Sequence, residues 1–244
     1  MGLGKYWLRF LIIIVVLIVF RQFVKTWTGI LEDIPVNSQI NENDEENVDV
    51  VKAKDVQKVV VAVYYEALCP DSRGFVIRHV EPTYQKLPDN VIIQMIPYGK
   101  ATTTELPNGY KFTCQHGPRE CEANMIHACA IDIIKNPAVQ LNFLTCMIEH
   151  NLWPVNITRT CAEKYHLDAE PILNCSKTNR GPELLAQYGK MTHALKPPIT
   201  FIPTITLDGD SDDQSSILIN LLQEVCKKFK VLPDGCKTLP VEQS

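Results

Sequence analysis

Val59-Val60-Val61-Ala62-Val63-Tyr64-Tyr65-Glu66-Ala67-Leu68-Cys69-Pro70-Asp71-Ser72 is the stretch that decides the fold. Its first seven residues form a continuous apolar run, the pattern of a central strand buried on both faces. Proline is favoured as the first helical residue, because its fixed φ suits the helix and its missing N–H would have lacked an intrahelical partner anyway. Pro70 therefore opens a helix and Cys69 caps it. Backbone amides and the positive end of the helix dipole then face the sulfur, an arrangement that favours thiolate over thiol. Position alone leaves two other readings open, half of a structural disulfide or a buried inert thiol.

Cysteine arithmetic favours the nucleophile. The chain has nine cysteines, at 69, 114, 121, 129, 146, 161, 175, 226 and 236. Eight can pair and one is left over, which in a secretory chain suggests a reactive thiol or an intermolecular partner. Cys69, alone in following a strong strand, is taken as the odd one. Among the others, only Cys226 and Cys236, on either side of Pro233-Asp234-Gly235, suggest a specific bridge, closing a short C-terminal loop.

Outward from Cys69, the residues Phe75, Val76, His79, Val80, Tyr84 and Leu87 recur at helical spacing, giving an amphipathic helix that ends before Pro88. Pro82 lies inside it and should kink it or end it early. Val91 to Tyr98 reads as a second strand, parallel to the first across the helical connection. A cysteine-bearing insertion follows from about 101 to 195, with helices near Cys121 to Ile134, Asn142 to His150 and Arg159 to Tyr165. Ile199 to Leu207 is a third strand interrupted by Pro203, and a last helix should run from Asp213 to Lys228. This is the layout of an α/β, thioredoxin-like fold with an inserted, disulfide-bonded helical subdomain. In such a fold Pro203 is the cis-proline that packs beside the redox cysteine.

The N-terminal 28 residues carry Lys5, Arg9, Arg21 and Lys25 around the 11-residue apolar run Phe10 to Phe20. That length suits a signal-peptide core and falls short of the roughly 20 residues a spanning helix needs. The segment is read as a signal peptide or, if retained, an anchor attaching residues 6–24 to a membrane. Residues 29–55 hold eight acids against two lysines and no aromatic side chain, the composition of a solvated, disordered stalk. The folded domain is placed at 56–240. Its charge is nearly balanced, with 18 basic and 20 acidic residues from 56 onward, which gives no basic face for nucleic acid. The sequons at Asn156 and Asn174, with the cysteine content, point to glycosylation and an oxidising compartment of the secretory pathway.

The segment Cys114-Gln115-His116-Gly117, Glu120-Cys121, Asn124 and Cys129 resembles the signature of the gamma-interferon-inducible lysosomal thiol reductase family at every fixed position. The resemblance extends over roughly 56 to 236 and includes Tyr64 to Ser72 and the Phe201-Ile202-Pro203 strand. It implies a thioredoxin-like fold, thiol reductase chemistry on disulfide-bonded protein substrates in acidic compartments, a lysosomal or extracellular location, and a role in lysosomal processing or host defence. Read without it, Cys114, Cys121 and Cys129 are most simply structural disulfides. A zinc site using them with His116 lacks the paired spacing of structural zinc modules, so no metal and no resident cofactor is assigned. His116 is then a structural or surface residue.

One position departs from the family. Its reductases carry Cys-X-X-Cys, and here the second cysteine is Ser72. The first thiolate of a dithiol pair attacks a substrate disulfide and the second resolves the mixed disulfide. A serine cannot resolve it, although its hydroxyl can hydrogen-bond a thiolate. The resulting expectation is a monothiol oxidoreductase with Cys69 attacking, Ser72 and Pro203 beside it, and an external thiol such as glutathione, or a substrate cysteine, completing the cycle. The alternative is a binding protein, tethered or secreted, that keeps the scaffold without turnover.

Overall fold

The computed structural model describes residues 14, 16–22 and 56–237. Two units divide the chain, Met1–Ala53 and Lys54–Ser244. In the first, residues 16–22 are helical and exposed, and among the described residues no helix is long and apolar enough to cross a membrane. Most of the segment expected to be a signal or anchor, and all of the expected stalk at 29–55, lie outside the described residues.

The second unit is organised around β1 (Val59–Tyr65). It pairs in parallel with β2 (Val91–Pro97) and antiparallel with β5 (Thr204–Leu207), giving the order β2-β1-β5. Its alternate side chains enter two separate apolar clusters. Val59, Val61, Val63 and Tyr65 face Phe75, Val76, Ile126 and Phe143, whereas Ala62 and Tyr64 face Ile96 and Tyr188. Burial on both faces is why this strand reads as a continuous apolar run.

Cys69 caps α1 (Pro70–Phe75), which continues through a π-helical turn, Val76–Val80, into α2 (Glu81–Lys86). The expected disturbance at Pro82 takes the form of that turn. The Glu81 amide donates to Val76 O, five residues back, and the widened turn accommodates a proline ring that would press on the carbonyl four residues before it.

The insertion contains a hairpin not anticipated from sequence, β3 (Thr102–Leu106) and β4 (Gly109–Thr113), and five helices: α3 (Pro118–Ile133), α4 (Pro137–Glu149), α5 (Pro154–Lys164), α6 (Glu170–Lys177) and α7 (Arg180–His193). The first three begin earlier than expected, each with proline at its first position, where proline opens a helix. Cys129–Cys175 ties α3 to α6 and Cys146–Cys161 ties α4 to α5. The former closes a separation of 46 residues, which on the chain-entropy account removes about 4 kcal/mol of freedom from the unfolded state.

Two further expectations need correction. The third strand starts at Thr204 rather than Ile199, because Pro197, Pro198 and Pro203 have no amide to give a ladder. The last helix is two helices, α8 (Gln214–Ile219) and α9 (Leu221–Lys227), separated at Asn220, whose non-helical backbone lets its side chain accept from Gln223 N and cap α9. A short α10 (Asp234–Lys237) is joined to α9 by Cys226–Cys236.

His127 of α3 sits in the main core, 1% exposed, with Nδ1 2.8 Å from the Tyr65 hydroxyl. Burial pushes its pKa from 6.5 down to about 3. The folded protein therefore keeps His127 neutral where the unfolded chain protonates it, so this residue costs stability as pH falls from 6.5 toward 3. Urea unfolding at pH 7 and pH 4.5 should show that His127→Gln loses about 3 kcal/mol less stability between the two than the parent chain does. Parallel losses would contradict a neutral buried histidine.

Candidate active site

β1 ends at Tyr65, and three residues carry the chain to Cys69. The Cys69 backbone is extended (φ −68°, ψ 124°), its carbonyl accepts from Arg73 N at 3.0 Å, and its Sγ accepts from Ser72 N at 3.5 Å. These are the bonds of a helix N-cap, with sulfur in place of the usual oxygen. Cys69 is 7% exposed, and among the described residues it is the free cysteine.

Ser72 is fully buried. Its amide reaches the sulfur, whereas its hydroxyl accepts from Glu66 N at 3.3 Å and so holds the turn leading to Cys69. Glu66 O in turn accepts from Cys69 N at 3.2 Å. Asp71 stands exposed in the first helical turn.

Between Glu66 and Cys69 the backbone has left the sheet, yet Ala67 is completely buried. Two asparagines from the insertion satisfy it. Asn124 Oδ1 of α3 accepts from Ala67 N at 2.9 Å, and Asn151 Nδ2, between α4 and α5, donates to Ala67 O at 2.8 Å. Asn124 was visible only as one letter of the family-like signature; Asn151 carried no sequence signal.

The Ile202–Pro203 peptide is cis, as is Lys196–Pro197. Because Tyr64 lies opposite Thr204, the antiparallel register brings Pro203 to the end of β1 from which the Cys69 turn departs. Cys69, Ser72 and Pro203 thus belong to one end of the sheet. Cys114 and Cys121 form a bridge just before and within α3, which leaves no thiolate there for the zinc set weighed from sequence. The other bridges are the three given above. Asn156 and Asn174 are exposed on α5 and α6, although Thr158 of the first sequon is buried with its hydroxyl bonded to Pro154 O.

A parallel strand-helix-strand unit, an unpaired cysteine capping the helix, and a cis-proline opening the antiparallel strand define the thioredoxin-like class. The fold is similar to that of MdbA, a thiol-disulfide oxidoreductase from Actinomyces oris, with a TM-score of 0.51 and 13% identity over 72% of this chain and 83% of that one. Residues 60–165 match the model of the gamma interferon inducible lysosomal thiol reductase family. A lysosomal thiol reductase-like protein of Anopheles gambiae is 32% identical over 200 residues, spanning 75% of this chain and 82% of that protein. The Carassius auratus gamma-interferon-inducible lysosomal thiol reductase is 34% identical over 176 residues, 70% of this chain and 69% of its own. The chain belongs to the gamma-interferon-inducible lysosomal thiol reductase family.

Removing a buried acceptor should be expensive even though the site around it is small. Asn124→Ala leaves the Ala67 amide without a partner and is expected to cost about 1–3 kcal/mol in guanidinium unfolding. A change under about 0.5 kcal/mol would mean that Asn124 does not hold the turn, since that is the scale of an ordinary surface substitution.

Proposed function

We propose that this protein is a monothiol thiol–disulfide oxidoreductase of the secretory and lysosomal route, acting on disulfide-bonded proteins through Cys69. The observation that carries the proposal is the free Cys69 at the head of α1, its sulfur receiving the Ser72 amide. Family membership supports the reaction class, and the relatives' names support the compartment.

Sulfur chemistry gives the steps. The Cys69 thiolate attacks one sulfur of a substrate disulfide, forming a mixed disulfide and releasing the other substrate sulfur as a thiolate. An external thiol such as glutathione then attacks the Cys69 sulfur, freeing the second substrate thiolate and leaving a Cys69 mixed disulfide with the small thiol. A second small thiol attacks that bond, regenerates Cys69 and leaves as the oxidised dimer. Two thiols are oxidised for each disulfide reduced. Where a substrate cysteine attacks instead, the bond is rearranged without net reduction. In both routes the backbone around Cys69 stabilises negative sulfur as attacker and as leaving group, and Ser72, whose hydroxyl holds the Glu66 amide, keeps the turn in shape without taking part in exchange.

A second reading has one observation in its favour. Serine at 72 removes the intramolecular resolving thiol, so a binding protein retaining the scaffold would look the same. Reduction of a disulfide-bonded protein at acidic pH, followed with and without glutathione, separates the two. The oxidoreductase reading expects glutathione-dependent turnover, abolished by Cys69→Ser and raised about tenfold or more by Ser72→Cys, which supplies an internal resolving thiol. Activity in Ser72→Cys alone would favour the binding reading, and turnover that survives Cys69→Ser would remove Cys69 from the chemistry.

A further inference from the structure

Three residues beside the Cys69 turn have no place in that chemistry. Glu66 lies in the turn itself, His116 follows Cys114 in the loop before α3, and Glu120 is in the first turn of α3. Glu66 is 1% exposed and Glu120 fully buried, while the His116 side chain remains one-third exposed. One donor atom from each, the histidine Nδ1 and a carboxylate oxygen of either glutamate, lie within 4.8 Å of one another.

Each carboxylate is oriented through its other oxygen. Glu66 Oε1 accepts from Lys100 N at 2.8 Å, and Glu120 Oε1 accepts from His116 N at 3.0 Å. Gly99 at φ +61° permits the close approach of the first, since a Cβ there would stand 2.1 Å from Glu66 Cγ. Both Oε2 atoms are thereby turned toward His116 Nδ1, at 3.4 Å from Glu66 and 2.6 Å from Glu120. That nitrogen carries at most one proton, and its short contact is with Glu120. Glu66 Oε2 is buried without a hydrogen-bond donor. An anionic oxygen so placed is costly unless a cation meets it.

We propose that Glu66, His116 and Glu120 form a binding site for a divalent transition-metal ion of the zinc class, with Nδ1 and the two Oε2 atoms as ligands. A nitrogen, two carboxylate oxygens and an open fourth position suit zinc, and second oxygens held by backbone amides are the outer support such ligands use. With metal–ligand bonds near 2.0–2.1 Å, two ligands of a tetrahedral ion stand roughly 3.3 Å apart. The Glu66–His116 distance of 3.4 Å already fits, and the Glu120–His116 pair at 2.6 Å must open, which the partly exposed imidazole can do. Such an ion would tie the turn that presents Cys69 to the loop and helix that carry Asn124.

The test uses the full chain carrying Cys69→Ser with its disulfides oxidised, so that no thiolate competes and the redox reading is not at issue. Calorimetric titration with zinc chloride at pH 7 should give one ion per chain. Affinity should fall at least tenfold in His116→Gln, whose substitution lies at the exposed edge, and in Glu66→Gln. Cobalt(II) bound in place of zinc should show visible d–d bands without a thiolate charge-transfer band. No binding by the Cys69→Ser chain, or binding unchanged in both substituted chains while circular dichroism shows them folded, would overturn the proposal.

Discussion

Burying a peptide group outside a sheet is the constraint on which the site depends. At the end of β1 the chain must turn into α1 within three residues, and packing forces Ala67 completely out of water there. An unpaired N–H or C=O in that position would cost as much as the cap itself contributes. The core of the fold has nothing to offer; the insertion does, through Asn124 and Asn151. The helical subdomain therefore reaches the end of the sheet that carries Cys69, and two bridges tie its helices to one another.

What could be read from sequence follows the range of the interaction involved. β1, the cysteine cap, the helix over 70–87 and β2 are set by local pattern, and they stand where the apolar periodicity and Pro70 place them. The odd cysteine follows from a count, and the bridge at Cys226 and Cys236 spans only ten residues. Failures lie where tertiary contacts decide. The hairpin at Thr102–Thr113 has polar, largely exposed strands, so its Asn108-Gly109 turn signal stood without the apolar alternation that usually supports it. Helices α6 and α7 contain Asn174, Ser176, Gly181 and Gly189, poor helix formers that are stabilised by packing on α3 and the Cys129–Cys175 bridge. Asn151 acts on a residue 84 positions away, and nothing near it in the chain announces that.

Ser72 shows how a motif can be chemically altered and structurally intact. Its amide supplies the hydrogen bond that the sulfur accepts, a contribution any residue but proline could make. Its hydroxyl is turned toward Glu66 N, inside the protein, and fastens the turn. The position thus retains the amide that bonds the Cys69 sulfur and lacks the thiol that would resolve a mixed disulfide. Glu66 then links two neighbourhoods, since its backbone serves the Cys69 turn and its carboxylate faces His116 and Glu120.

The account stands on one sulfur being left unbridged at the head of α1. Alkylation of the native, non-reduced chain, followed by peptide mapping, tests that most directly. It should place the label on Cys69 alone and recover the other eight cysteines as the pairs 114–121, 129–175, 146–161 and 226–236. Recovery of Cys69 in an internal disulfide would contradict it.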